Sequence, residues 1–341
     1  MQMKQHRLPL TVVLSLAFLA LSHLSCSPQR GESAPTPERS AAGTQFAADA
    51  EPDDLRVSSL EPAVDVRVAL PFPPGVRVET QCGPVDDLQD VELYDGMLGI
   101  SRDYSDTHEV STVQFQWLGE EAIRNRLPDH APGNVAGARW CTGTLISERL
   151  ALTAGHCFDI ETGTLGWVTP FRVDPDGKPQ FAPPDVLATL QRANFRYQVN
   201  GETGQVRTGE SYPIVRLHEH RLDGLDFAIV ELGPNSSGEL PGARFSPARV
   251  ITRKPVGDEI IAVIQHPQGL PKKIDAGNIQ SVFGSRVYYD NVDTHGGSSG
   301  SGVRDSQGSI VAVHTNGGCT AIGGANRGVS TASIATASGI L

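Results

Sequence analysis

From about residue 82 onward the chain offers only short runs rich in Val, Ile, Phe, Tyr and Thr, set between clusters of Gly, Pro, Asn, Asp and Ser. The runs are 111–118, 138–146, 150–154, 194–199, 211–217, 226–232, 259–265, 279–289 and 309–314, and several alternate apolar with polar residues. A period of two puts every second side chain on one face, which is the pattern of a half-buried strand. Many short strands between turn signals predict an all-β sandwich or barrel and argue against βαβ units. The 36 glycines and 24 prolines supply the turns such a fold needs. Asp305-Ser306-Gln307-Gly308 reads as a hairpin turn. Helix is expected only as a turn or two within 185–192 and as a short C-terminal helix over 330–338. At 341 residues, length alone allows two domains, but β folds often exceed about 200 residues as one unit.

The first 80 residues read differently. Lys4 and Arg7 precede an apolar run over 8–21, the n- and h-regions of an export signal and too short for a membrane span. Cys26 follows in Leu21-Ser22-His23-Leu24-Ser25-Cys26, which resembles a bacterial lipoprotein cleavage site; Ser25 fits it and His23 departs from it. Lipidation of Cys26 and ordinary signal cleavage both stay open. Residues 27–62 carry almost no large apolar side chains and cannot offset chain entropy by burial, so 26–80 is expected to be a linker or propeptide after a signal at 1–25. The folded domain is expected over 81–341, dividing near 235.

The net charge of −11 excludes a nucleic-acid footprint, which needs clustered cations to displace phosphate counterions. Export implies an oxidising compartment, so the four cysteines other than Cys26 (Cys82, Cys141, Cys157 and Cys319) are read as bridged.

Two segments carry chemistry. The first is Cys141-Thr142-Gly143-Thr144-Leu145-Ile146-Ser147 followed by Leu152-Thr153-Ala154-Gly155-His156-Cys157. Here the sequence resembles the trypsin- and chymotrypsin-like serine peptidases, whose catalytic histidine sits in such a run. The resemblance implies a Cys141–Cys157 disulfide, which would pin the backbone beside a general base. Cys82–Cys319 then follows by elimination.

The second is Thr294-His295-Gly296-Gly297-Ser298-Ser299-Gly300-Ser301-Gly302, similar to the nucleophile loop of the same peptidases. The resemblance makes Ser299 the nucleophile and the N–H groups of Gly297 and Ser299 the oxyanion hole. Gly296, Ser298 and Gly300 also satisfy the α/β-hydrolase elbow. That fold needs an acid and a histidine after the serine, and only His314, with no acid beyond Asp305, follows here. The triad acid is expected at Asp226, opening the apolar run Phe227-Ala228-Ile229-Val230, with Asp223 as runner-up. The order His156, Asp226, Ser299 is the chymotrypsin order. The long interval from histidine to acid predicts an insertion in 158–185, with Asp174-Pro175-Asp176-Gly177 a surface turn.

Val313-His314-Thr315-Asn316-Gly317-Gly318-Cys319 looks like the pocket strand of bacterial glutamyl endopeptidases, which place a histidine before paired glycines. This implies substrate-binding roles for Thr294, His314, Thr315 and Gly317, and a preference for Glu before the scissile bond. Asp293 leaves room for a basic preference instead. Two departures stand out: Ser298 replaces the acid that switches trypsin-like zymogens, and Gly302 stands where Pro is usual. His218-Glu219-His220 has metal-ligand residues but no partner cluster, and reads as an exposed strand face.

The resemblance thus implies two six-stranded antiparallel β-barrels, with the cleft between them acting on proteins or peptides without metal or cofactor. The chain is expected to be an exported monomeric serine endopeptidase, secreted or held at the envelope through Cys26. The competing expectation is a protease-like protein that binds peptides or partners without cutting.

Overall fold

The computed structural model describes residues 79–159, 166–222 and 224–341. The expected signal, most of the linker, Cys26 and Asp223 lie outside the described residues.

Two short strands, β1 (Glu79–Thr80) and β2 (Gln89–Asp90), open the described chain. Helix α1 (Arg102–His108) follows, its first turn capped by the Ser101 hydroxyl accepting from Tyr104 N–H. The next strands are β3 (Thr112–Trp117), β4 (Arg139–Leu145) and β5 (Leu150–Thr153), with helix α2 (Glu120–Arg126) after β3. A hairpin of β6 (Phe171–Val173) and β7 (Pro179–Phe181) and helix α3 (Pro184–Thr189) precede β8 (Gln191–Phe195), β9 (Glu210–Arg221) and β10 (Phe227–Leu232). Strands β3, β4, β5, β8, β9 and β10 close into a six-stranded barrel in the order β10-β5-β4-β3-β8-β9. Alternation explains the barrel core: Val113 and Phe115 of β3 point inward with Phe195, Tyr212, Ile214 and Val230. Phe195 stacks on Phe245 at 4.3 Å, so the chain leaving the barrel also seals it.

The second half contains β11 (Ile260–Gln265), β12 (Lys273–Asn278), β13 (Ser281–Phe283), β14 (Arg286–Tyr289) and the short β15 (Thr294–His295). It ends with β16 (Gly302–Asp305), β17 (Ile310–Asn316), β18 (Asn326–Ser330) and helix α4 (Thr331–Ala335). All but β15 join one antiparallel sheet in the order β13-β14-β18-β17-β16-β11-β12-β2. The architecture is therefore mostly β: a closed six-stranded barrel beside an open, half-barrel sheet, consistent with the two-barrel chymotrypsin-like fold. The second sheet draws eight strands where six were expected, because β2 pairs on its edge and the 279–289 run breaks at Gly284 into β13 and β14.

Between the halves lies a shared apolar seam of Leu152, Phe227 and Ile229 from the barrel against Val313, Val329 and Ile334. Within 158–185, where an insertion was expected, lies the β6–β7 hairpin, in which Asp174 Oδ1 accepts from the N–H groups of Asp176 and Lys178. Trp167, ahead of that hairpin, meets Trp140 edge-on at 5.2 Å.

Candidate active site

His156 stands in the 3-10 turn Gly155–Phe158 that ends β5. The Cys141–Cys157 disulfide ties this turn to β4, and Trp140 Nε1 donates to the Cys157 carbonyl at 3.0 Å. Gly155 is required there, because a Cβ would strike the Arg221 carbonyl of β9.

The register of the barrel brings the acid to the histidine. β10 runs antiparallel to β5 with Ala228 opposite Thr153, so the residue just before β10 falls beside the turn that carries His156. That residue is Asp226. Its Oδ2 lies 2.8 Å from His156 Nδ1, and its Oδ1 accepts the His156 backbone N–H at 2.9 Å. Asp226 holds φ of +34°, a left-handed conformation unfavourable to any residue with a Cβ. Burial alone would raise its pKa, but the bonds and charge from His156 outweigh it, and the carboxyl sits below its ordinary value. His156 remains about one-third exposed.

The glycine-rich loop is bonded to the same edge. Thr142 N–H donates to the Ser299 carbonyl at 2.9 Å. Gly300, at φ +87°, fits so closely against Thr153, the Thr142 carbonyl and Ala154 that no side chain fits. Gly297, at φ +98°, sits where a Cβ would be 2.7 Å from the His266 carbonyl. The Gly296 carbonyl accepts from Gln268 N–H at 2.5 Å. Since a trans peptide points its C=O and N–H in opposite directions, Gly297 N–H faces away from that bond. The Ser298 carbonyl is held in turn by Ser301 N–H at 3.0 Å and by Ser301 Oγ at 2.6 Å, which turns Ser299 N–H away from them. Neither the Gly297 nor the Ser299 N–H meets an acceptor among the described residues. Ser299 itself is half-buried.

Of the four residues assigned to a substrate pocket, Thr294, His314 and Thr315 are buried side chains. His314 Nδ1 lies 2.5 Å from the Tyr289 hydroxyl, which meets no other acceptor among the described residues. The buried hydroxyl therefore donates, and the imidazole carries its proton on Nε2. Burial, followed by the positive influence of His156, pulls the His314 pKa down to about 3, so the ring is neutral. Thr315 Oγ1 donates to the neighbouring Asn316 Oδ1 at 3.1 Å.

One residue in this neighbourhood was missed. Thr80, in the stretch read as linker, belongs to β1, which pairs with Thr294 and His295. Its hydroxyl bonds to Thr294, its carbonyl accepts from Asn326 Nδ2 at 2.8 Å, and its methyl occupies the space a Cβ on Gly317 would need. The Cys82–Cys319 bridge fastens this segment two residues further on. A Thr-Gln-Cys segment in a polar stretch has no periodicity to betray it; the cysteine was its one signal.

Asp293, the residue that left room for a basic preference, is buried. Its carboxylate accepts from Cys82 N–H at 2.5 Å and from Asp87 N–H at 2.8 Å. His218 and His220 also have local partners, Glu231 at 2.9 Å and the Gly155 carbonyl at 3.0 Å. Cys141, His156 and Cys157 come within 4.8 Å of one another, but both sulfurs are spent in the disulfide.

Residues 141–313 match the model of the trypsin-like peptidase domain, a span of just over half the chain. The chain belongs to that family. Exfoliative toxin A of Staphylococcus aureus is 26% identical over 204 residues, 58% of this chain and 64% of the toxin. The chain thus spans less than two thirds of that relative's length. Among solved structures, a Glu endopeptidase in complex with MPD is 16% identical with a TM-score of 0.43, covering 75% of this chain and 96% of its own. Deg5 is 13% identical with a TM-score of 0.41, covering 69% and 90%. Within this trypsin-like peptidase domain, both sequence segments singled out for chemistry fall inside the matched span, as does Asp226.

Proposed function

We propose that this chain is an exported serine endopeptidase that cleaves protein or peptide substrates through His156, Asp226 and Ser299. The observation that carries this reading is the pair of hydrogen bonds between Asp226 and His156, at Nδ1 and at the backbone N–H, at the end of the barrel to which the Ser299 loop is also bonded. A carboxylate at Nδ1 holds the ring proton there and leaves Nε2 as the base.

In this reading His156 Nε2 takes the proton of Ser299 Oγ as the oxygen attacks the substrate carbonyl. The negative charge that develops on the carbonyl oxygen falls between the N–H groups of Gly297 and Ser299, neither of which has an acceptor among the described residues. His156 then gives its proton to the leaving amine. A water molecule, deprotonated by the same nitrogen, attacks the acyl carbonyl, and Nε2 returns that proton to Ser299 Oγ as the acyl group leaves.

The pocket assignment refines the reading to substrates with Glu before the scissile bond. The neutral His314 ring offers Nε2–H, and a donor to a charged carboxylate is stronger than one to a neutral group. Thr294, Thr315 and Gly317 are assigned to the same pocket. Asp293, already engaged by two backbone N–H groups, supports this over a basic preference. Export rests on Lys4, Arg7 and the apolar run over 8–21. The mass of the mature protein separates a lipidated Cys26 from plain signal cleavage.

The deciding experiment is labelling of the full chain, expressed with export, by a fluorophosphonate probe. Wild type should be labelled at Ser299, and Ser299→Ala should not. Folded wild type that stays unlabelled and cuts no protein substrate would replace this reading with that of a peptide-binding module.

A further inference from the structure

The amide pair credited with oxyanion binding is not held by the nucleophile loop alone. The Gly297 Cα joins two peptide planes. The plane before it is fixed by Gln268 N–H on the Gly296 carbonyl at 2.5 Å. The plane after it is fixed by Thr142 Oγ1 donating to the Gly297 carbonyl at 2.8 Å. The same Thr142 oxygen accepts from His266 N–H at 3.0 Å, and His266 lies two residues before Gln268 in the turn Pro267–Gly269. Gln268 has φ of +56°, so this turn presents its N–H from a backbone conformation that favours glycine. One buried hydroxyl therefore links the loop that must hold its amides in place to the loop that orients them. Thr142 N–H, meanwhile, holds the Ser299 carbonyl.

We propose that Thr142 is a positioning residue: its hydroxyl joins the 266–269 turn to Gly297 and so keeps Gly297 N–H aimed at the oxyanion. The inference rests on the protease reading above. Without the hydroxyl, His266 N–H and the Gly297 carbonyl are both left without their partner. Each is then driven to find another, and the peptide planes flanking Gly297 turn with them. The cost falls on the transition state, where the oxyanion charge is full, and little on substrate binding.

The test compares wild type with Thr142→Val, which keeps the shape without the hydroxyl, and Thr142→Ser, which restores it. Thr142→Val should lower kcat by about 10- to 100-fold, within the range for losing an oxyanion donor, and leave KM within about twofold. Affinity for a peptide aldehyde, whose adduct carries the oxyanion, should fall in parallel, and Thr142→Ser should recover most of both. Thr142→Ala, which leaves room for a bridging water, serves if the valine variant does not fold and should fall between the two. Valine and serine variants equally impaired, or a valine variant with wild-type kcat and aldehyde affinity, would overturn the proposal.

A readout independent of activity separates this idea from the protease reading. Ser298 N–H donates to the His295 carbonyl at 2.9 Å across the same peptide that Thr142 holds. Its hydrogen exchange should quicken in Thr142→Val and return in Thr142→Ser, even in a protein that no fluorophosphonate labels. Unchanged exchange in the valine variant would sink the clamp whatever the enzyme does.

Discussion

Asp226 grips His156 at two atoms, 2.8 Å from the ring Nδ1 and 2.9 Å from the backbone N–H. Two contacts from one carboxylate fix both the position of the turn and the tautomer of the ring. Asp226→Asn keeps the shape and an oxygen for the backbone N–H, but its amide would face Nδ1 with donors. The expected result is a loss of kcat on the order of 10⁴-fold with the fold intact, read by steady-state kinetics beside a thermal melt. An unchanged kcat would move the role of acid away from Asp226.

The neutral state of His314 makes a prediction about pH. With its pKa down at about 3 rather than 6.5, the ring does not gain charge across the neutral range. The ratio of kcat/KM for a Glu substrate over its Gln counterpart should therefore show no step near 6.5, a free-enzyme property that such ratios report. His314→Ala should damage cleavage after Glu more than after Gln. A step in the ratio near 6.5 would mean that the pocket uses a charged imidazole.

Asp275 runs the other way. Burial, ahead of the neighbouring Asp293 and Asp87 charges, raises its pKa from 3.8 to about 7, although the N–H groups of Asp293 and Ala276 both donate to it. A folded-state pKa above the unfolded value means that the folded protein binds the extra proton between these limits. Its contribution to stability is complete below about 4 and is lost as pH rises toward 7, by on the order of 4 kcal/mol. Asp275→Asn should flatten that part of the profile of stability against pH, measured by urea unfolding. The slope, not the absolute stability, is the test, since Asn also sacrifices one of the two bonds.

Gly317 and Thr80 make a pair that can be exchanged. Gly317→Ala would drive its methyl into that of Thr80 and should cost roughly 1–3 kcal/mol, as overpacking does. Thr80→Ser removes that methyl and keeps the hydroxyl, so the double variant should melt above Gly317→Ala alone. Additive losses in the double variant would show that the two residues do not meet.

Much of the barrel was legible because its strands obey the rule of two. Val113, Phe115 and Trp117 alternate along β3, and Leu150–Thr153 and Phe227–Leu232 lie within a residue or two of their expected bounds. The strands β12, β16 and β18 were missed for a physical reason: they bury polar side chains that mask the apolar pattern. Asp275 is satisfied by two backbone N–H groups, Arg304 by the Gly308 carbonyl and Ser111 Oγ, and Asn326 by the carbonyls of Thr80 and Val292. Apart from Ala276 N–H and the Gly308 carbonyl, those partners lie far off along the chain, where a local pattern does not reveal them. Helix α2 was missed because Ile123 is its one buried residue, too few for a stripe; the Glu120–Arg124 pair at 2.7 Å supports it at the surface. The His156 and Ser299 segments stood out since their glycines and cysteines carry fixed backbone demands. Thr142 looked like part of a motif, and its bond to Gly297 became visible only with the second half in place.

The wall that Thr80 adds beside Thr294 and Gly317 has a consequence for engineering. Transplanting residues 293–319 into another scaffold would move the strand and its histidine but leave a gap where a threonine from the far end of the chain belongs. On the pocket reading proposed above, altering selectivity would mean designing two pieces of sequence together, stapled by a bridge that spans 237 positions.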